Sequence, residues 1–579
     1  MTDYLSNLPV ELIYKIVDDI TIFDILGCLC LVNKRLRLIC LGYNHFRLDL
    51  SYVKKRKQFD LFCDRLASIS SQIDSLSFSD FNDATMPSKI ERFFLRFQVI
   101  NDKFSNLKSL HLSHVDPIMW KSIKNHVKLL MSLVSLFIDV VYIWVDADPD
   151  KEISYLLKDI LFMSISLKHA HVRCNNGSRI YLSDICGKQI SSIEHLTLTN
   201  VSIDLQQLYS IAPDLCTLNT RVTAYHPAYK FHVNPPENLQ RLSLNISHLY
   251  FSLIEQILHS MKRLTHLIII ASDAFRDVTD GDEWERILTK IKSFKFLFRF
   301  HESTWTEEAI SLDSFQSLFW LENKQWYVGY DRCTISGFSL LYSIPYCTNI
   351  YPWSYMKGAI DTKTTGPQIL SLDKVNYCKI DNKFSIDDKR LCRLTNLQKL
   401  SISDFDISFH VLLNKFVPHI DMSIITTFCI PIRRVNINND VFVQFVSTMS
   451  NLVSLGAPLI LLKLLLVSHW SNIRRLEIFL SWPTATAVER SLTVDEIDVF
   501  FRSFTHIEYL SFQHNPDLNI SEILNNIPIT ISNIVIGHPY RTIPADFPNF
   551  ITPDWLQENT RLRNFSYYCN ESNAVSLWL

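Results

Sequence analysis

Glycine is scarce in this chain, with 11 in 579 residues. Loops that cradle phosphate need glycine at fixed spacings, and no GxGxxG or P-loop pattern occurs; GxSxG and HExxH are missing as well. The 13 cysteines form no CxxC pair, and Cys28 and Cys30, one residue apart, have the wrong spacing for usual zinc sites. An odd, scattered set without a secretory leader implies reduced thiols, and hence a cytoplasmic or nuclear protein. Charge of one sign is lacking too. Lys+Arg is 57 and Asp+Glu is 59, a net charge of −2. No global field favours nucleic acid or an anionic membrane, and neither is expected as a partner. The most apolar run, "APLILLKLLLVSHW" from Ala457, is interrupted by Lys463 and is too short to span a bilayer.

Smaller features give no chemistry either. "HLSH" sets His111 and His114 three apart. In a strand they face opposite ways, so a shared metal is not expected. His169 and His171 share a face if extended and read as surface residues. "DVTDGDEW" from Asp277 clusters acids without EF-hand spacing and reads as a solvated loop. "KKRK" at Lys54 reads as a solvated turn. No metal site, no cofactor and no catalytic constellation emerges, so a protein that is not an enzyme is expected.

What is present is apolar and patterned. Hydrophobic residues make up 47% of the chain, too many for disorder. The length exceeds one ordinary core, which points to several domains or one repeat array. At the N-terminus, "LPVELIYKIVDDI" starts at Leu8. Pro9 suits a first helical turn, and Glu11 lies near the positive end of the helix. Leu12, Ile16 and Ile20 recur every four residues, and Ile13 and Val17 widen the stripe. Thr21 and Asp24 give a second start signal, followed by Ile25, Leu26 and Leu29 on one face. Val32, Leu36 and Ile39 make a third stripe. Three short helices in about forty residues can barely enclose a core, so their surplus apolar surface asks for a partner.

These residues carry a resemblance. "LPVELIYKIVDDITIFDILGCLCLVNKRLRLI" resembles an F-box, whose pattern is met at Leu8, Pro9, Glu11, Leu12, Ile16, Ile20, Asp24, Ile25, Val32, Lys34 and Arg35. The stretch from Ile20 to Val32 is one residue longer than is common in that family. Asn33 and Leu36 stand where a cysteine and an aromatic are frequent. The resemblance implies docking on a Skp-type adaptor, and through it on a cullin. The implied contacts are Leu8, Pro9, Leu12, Ile13, Ile16, Ile20, Ile25, Leu29 and Val32. It implies an F-box over 1–45, followed by a linker over 46–70.

A second pattern covers the remainder. "NLKSLHL" begins at Asn106, "SIEHLTL" at Ser192, "NLQRLSL" at Asn238, "RLTHLII" at Arg263, "NLQKLSI" at Asn396, "NLVSL" at Asn451, "NIRRLEI" at Asn472 and "HIEYLSF" at His506. Weaker copies begin at Gln72, Asp214, Pro431 and Arg561. Each reads aliphatic-x-x-aliphatic-x-apolar, at leucine-rich-repeat periods. The last residues of each motif predict a short strand whose leucines point into the stack. "LIEQILHSM" and "VFVQFVSTM" predict helices that return the chain. These repeats resemble the irregular leucine-rich type often attached to F-boxes.

The expected fold is therefore α/β: a small three-helix head, then a leucine-rich-repeat solenoid over 71–579 with parallel strands on its concave face and helices or irregular turns on the convex face. One repeat cannot bury its own apolar face, but a stack shares one core. Strand alternation points His111, Thr197, Ser243, Asn245, His266, Ser401, Glu477, Ser511 and Gln513 outward, as contacts for an unknown target protein. The pattern fades over roughly 294–380, where aromatics alternate. That segment reads either as an insert presenting Trp and Tyr to a partner or as degenerate repeats with aromatic cores. Without the F-box resemblance, the chain reads as a repeat scaffold whose N-terminal helices are only a cap.

Overall fold

The structure, a computed structural model, describes residues 8–19, 25–51, 53, 56–67, 69–79, 89–97, 100–141, 148–180, 189–222, 234–301, 310–333, 337–351, 360–366, 372–380, 394–402, 409–430, 439–479, 492–513, 519–537, 551–563, 565–569 and 575–578. The chain divides into two units. One comprises Met1–Arg221 with Asn234–Asn238; the other holds nearly all the rest. Both are α/β, with parallel strands joined by helical returns. No described helix is long and apolar enough to cross a membrane.

In the first unit the strands are β1 (Phe46–Asp49), β2 (Ile73–Ser79), β3 (Ser109–Val115), β4 (Ser135–Val140), β5 (His169–Arg179), β6 (His195–Ile203) and β7 (Thr217–Val222), in chain order across the sheet. The pairs from β1 to β6 are parallel. Each strand begins in the same way. The Lys108 carbonyl accepts from Val134 N and Ser135 N, the Val134 carbonyl from Lys168 and His169, and the Lys168 carbonyl from Glu194 and His195, all at 2.8–2.9 Å. The motif's three apolar positions are what each strand buries: Leu107, Leu110 and Leu112 in one repeat, Ile193, Leu196 and Leu198 in another. Burying each such side chain contributes about 2 kcal/mol before entropy is counted.

The asparagine ahead of the motif has a role of its own. Asn106 Nδ2 donates to the Ser71 carbonyl at 2.7 Å, Asn451 Nδ2 to Ser423 O at 2.9 Å, and Asn472 Nδ2 to Ser450 O at 2.8 Å. In these three repeats it ties the chain to the repeat before and satisfies a carbonyl that the strand ladder leaves over.

In the second unit, β8 (Arg241–Leu249), β9 (His266–Ala274) and β10 (Ser293–His301) continue the parallel pattern. Then the direction changes. β11 (Tyr327–Cys333), β12 (Phe338–Ile344) and β13 (Ile360–Thr364) are antiparallel, in the order β10-β12-β11-β13. Parallel pairing resumes with β14 (Tyr377–Ile380), β15 (Lys399–Ile402), β16 (Thr427–Cys429), β17 (Ser454–Pro458), β18 (Arg475–Phe479), β19 (Tyr509–Gln513) and β20 (Asn533–Gly537). β14 to β20 belong to a second sheet, which β22 (Val575–Trp578) and then β21 (Ser566–Cys569) complete beyond β20. The predicted return helices form at Phe251–His259 and Asn439–Ser447.

Several expectations change. The linker expected over 46–70 is instead part of the array: β1 pairs with β2, and helix Arg56–Leu66 buries Phe59, Phe62, Cys63 and Leu66. Its apolar face at helical spacing has the same cause as the other returns. "KKRK" thus runs into a helix at Arg56, with Lys54 and Lys55 outside the described residues. The motif at Pro431 also lies outside them. In the 294–380 segment, β10 and β14 bury ordinary repeat triads, Ile291-Phe294-Phe296 and Val375-Cys378-Ile380. The antiparallel strands lie between them. Trp320, Tyr330, Tyr342, Tyr346 and Tyr351 are buried there rather than presented. Asp331 is the hub of this cluster: Tyr342 Oη donates to it at 2.9 Å and Thr362 Oγ1 at 2.7 Å, with a third bond from Tyr351 Oη.

The acid cluster at Asp277 is no solvated loop. Asp277 accepts from Phe251 N at 2.8 Å and so caps the neighbouring helix, while Asp280 caps helix Gly281–Leu288. Gly281 is required there because a Cβ would lie 2.5 Å from the Ser314 carbonyl.

Candidate functional site: an apolar head and an outward strand face

The head begins with helix Val10–Asp19, whose first amides, Leu12 N and Ile13 N, bond to the Pro9 carbonyl. A π turn at Ile25–Leu29 and a short turn at Cys30–Val32 follow. Asn33 then caps helix Lys34–Gly42 by accepting from Leu36 N at 2.8 Å. Arg35 Nη2 donates to the Leu8 carbonyl at 2.9 Å and fixes the start of the chain on this last helix. Tyr14 packs on Tyr43, and Tyr43 on Phe46 of β1, with ring centroids 5.2 and 4.9 Å apart. Gln72 Nε2 donates to the Leu41 carbonyl, so head and first repeat are one body.

The apolar residues of the head divide into two sets. Ile13, Val17, Ile25, Leu29, Leu36 and Ile39 are buried in the chain's own core. Leu12 is 45% exposed, Leu31 72% and Val32 59%, with Val10, Pro9 and Leu38 also in solvent. Leu8 and Ile16 are half-buried, and Ile20 lies outside the described residues. Of the nine contacts implied by the resemblance, Ile13, Ile25 and Leu29 therefore hold the head together: the first helix turns Ile13 and Val17 inward, and the π turn buries Ile25 and Leu29. Leu31 and Leu38 were not singled out from the sequence; the turn at Asn33 decides which way they point.

The second surface is the strand face turned away from the core. In the first unit the register aligns Asp49, Ser77, His111, Phe137, His171 and Thr197 in one row. Phe137 is flanked by His111 and His171, ring centroids 3.9 and 4.4 Å away. The next row holds Asp139, only 1% exposed, gripped by Arg173 through Nε at 2.9 Å and Nη2 at 2.6 Å. Burial lowers the pKa of His111, His114 and His171; Arg173 adds to this, and Asp139 works against it.

His111 and His114 were expected on opposite faces. They share the outward one, because His114 has φ 64° and the β3–β4 register slips between Ser113 and Val115. His114 Nδ1 lies 3.4 Å from Ser79 Oγ and Nε2 3.9 Å from Asp139. Among the described residues no group of His, Cys, Asp and Glu is placed to hold a metal.

In the second unit Ser243 and Asn245 lie on the outward side of β8, and His266 stands at the start of β9. Glu477 and Ser511 are adjacent on β18 and β19. Arg475 bonds Glu477 at 2.7 Å and lies 4.2 Å from the centre of the Tyr509 ring. Ser401 is the exception. It is 9% exposed, covered by hydrogen bonds with Tyr377 and Cys429 on the flanking strands. The Gln513 side chain lies outside the described residues. Phe137 and Asp139 were missed from the sequence because "SLVSLFIDV" was not picked out as a repeat, and Arg173 because "SLKHAHVRC" was not.

No protein-family model matches this chain, and a search of curated proteins finds no match to it.

Proposed function

We propose that this chain is the substrate-receptor subunit of an SCF-type cullin–RING ubiquitin ligase, and that its array is an irregular leucine-rich-repeat solenoid. The head binds a Skp-type adaptor, and the outward strand face binds a target protein. The receptor performs no bond chemistry. It raises the concentration of target lysines near the ligase's charged ubiquitin carrier.

One observation carries the reading. Leu12, Leu31 and Val32 stay in solvent on a head whose opposite stripe is already used for its own core. Exposed leucines on a small, ordered body mark a docking patch. Two of the three, Leu12 and Val32, are positions matched by the F-box resemblance, with Leu8 and Pro9 beside them. Ile13, Ile25 and Leu29 support the patch from within. Co-purification of the full chain with a Skp-type adaptor tests this. Leu8→Ala with Pro9→Ala should weaken the complex in a folded protein, and unchanged binding refutes the assignment.

A cap is the second reading, and the joint between head and array favours it: Tyr43 on Phe46, and Gln72 on the Leu41 carbonyl. Repeat arrays do need their ends covered. On that reading the adaptor binds neither the full chain nor a chain lacking residues 1–45, and the shortened chain aggregates.

A further inference from the structure

β21 is the last strand of its sheet, with β22 between it and β20. The motif that leads into it, "RLRNFSY" from Arg561, supplies the usual three apolar positions as Leu562, Phe565 and Tyr567. In the two repeats before it the same positions are buried, as Ile507, Leu510 and Phe512 and as Ile531, Ile534 and Ile536. Here all three are only half-buried, packed on the core from one side. An inner repeat has its triad covered by the next repeat; this one stands at the edge, with no further repeat among the described residues.

The uncovered triad lines a hollow of about 480 Å³, which Arg563 and two residues of helix Pro553–Asn559, Pro553 and Gln557, complete. Its walls are fixed. Tyr567 Oη donates to the Ile551 carbonyl at 2.8 Å, and Thr552, the next residue, caps the helix by accepting from Trp555 N at 3.1 Å. Arg563 Nη1 donates to the Thr560 and Leu562 carbonyls at 2.9 and 2.7 Å, which holds the guanidinium in place. Its Nε and Nη2 make no bond with any described residue. Arg286 and Arg474, also exposed, meet Glu255 and Glu508, but no described carboxylate lines this hollow. An apolar wall therefore stands beside a cation whose two remaining donor nitrogens are unanswered.

We propose that this hollow binds the C-terminal residue of a polypeptide, with its carboxylate on Arg563 and an apolar side chain against Leu562, Phe565 and Tyr567. Nε–H and one Nη2–H of a guanidinium form a fork that matches the two oxygens of a carboxylate. A terminal residue carries that carboxylate and an apolar side chain on one Cα, so both fit a single hollow. A second copy of the chain, seated edge to edge, would bring the same triad and the same arginine, with no acid among the described lining residues to answer the charge. The triad belongs to the core side of the array, so this site is separate from the outward strand face. It stands whether or not the head binds an adaptor.

Calorimetric titration of the full chain with acetyl-Gly-Gly-Leu, its terminal carboxylate free, tests the site. Saturable binding is expected. The C-terminal amide of the same peptide should bind at least about tenfold more weakly, the worth of a charge-assisted hydrogen bond. Acetyl-Gly-Gly-Gly acid should lose about as much, since it leaves the apolar wall bare. Arg563→Gln should weaken the leucine acid about tenfold and bring it level with the amide. Gln557→Glu, at an exposed helix position, sets a carboxylate in the hollow against that of the ligand and should weaken binding by a similar factor. Sedimentation should be the same for the parent and both variants. The proposal is overturned if the leucine acid does not bind the folded chain, or if its amide or the internal acid acetyl-Gly-Leu-Glu-Gly-amide binds as tightly. It is overturned equally if both variants, folded by their thermal transitions, bind the leucine acid as the parent does. A parent dimer that both variants dissociate also overturns it, because a second copy would then fill the hollow.

Discussion

Arg35 reaches back 27 residues to donate from Nη2 to the Leu8 carbonyl at 2.9 Å. The bond holds the Leu8–Pro9 turn against the last helix of the head and so orders the residues on the proposed adaptor side. It is exposed, so its removal costs the fold about 1 kcal/mol or less. Arg35→Ala should leave the thermal midpoint within about 4 °C of the parent. Adaptor affinity should still fall about tenfold, because a frayed turn must be ordered on binding. A drop in midpoint with unchanged affinity would assign Arg35 to stability alone.

The asparagine ties between repeats make a second prediction. Asn106→Ala removes the bond to the Ser71 carbonyl and Asn472→Ala the bond to Ser450. Each should cost about 1 kcal/mol in urea unfolding. The effects should add, since the two sites are in different units and share no partner. Asn106→Asp should cost at least as much as Asn106→Ala, because a carboxylate cannot donate to a carbonyl.

Asp331 anchors the antiparallel insertion. Asp331→Ala takes this acceptor away from the buried Tyr342 and Tyr351 hydroxyls and from Thr362 at the surface. A loss of about 3 kcal/mol or more is expected, against about 1 kcal/mol for Tyr342→Phe, which removes a single donor. Denaturant titration of both variants separates the hub from its spokes.

The histidine row makes stability depend on pH. Burial lowers the folded pKa of His111, His114 and His171 below the unfolded 6.5, with Arg173 reinforcing it and Asp139 opposing it; Asp49 also opposes it at His111. Between the two values the unfolded chain binds more protons, so stability rises with pH there. It is fully present above 6.5 and is lost as pH falls below it. The urea midpoint should therefore decline from about pH 7.5 to about pH 5.5, and His111→Gln with His171→Gln should flatten the decline. An unchanged slope in that double variant would remove these groups from the account.

Repeats such as Leu239, Leu242 and Leu244 were legible, although Leu133, Leu136 and Ile138, equally aliphatic, were passed over. Others were missed where the same three buried positions hold Leu167, Ala170 and Val172, or Val375, Cys378 and Ile380, or Ile425, Phe428 and Ile430. The fold asks only for an apolar side chain of suitable volume there, and a leucine pattern does not capture that. The antiparallel insertion was legible as alternating aromatics but not as a reversal of direction, which depends on long-range pairing. At the head, the stripe showed that apolar surface exists. Which half of it faces inward was decided by tertiary contacts such as Tyr14 on Tyr43.

Whether the head is a docking surface is decided by the dissociation constant of the full chain for a purified Skp-type adaptor, with and without Leu12→Asp, Leu31→Asp and Val32→Asp combined. All three side chains are in solvent, so the variant should unfold at nearly the parent temperature. The parent should bind at micromolar Kd or tighter, and the triple variant at least about a hundredfold more weakly, roughly 3 kcal/mol. A folded parent that does not bind, or a folded triple variant that binds equally well, would contradict it.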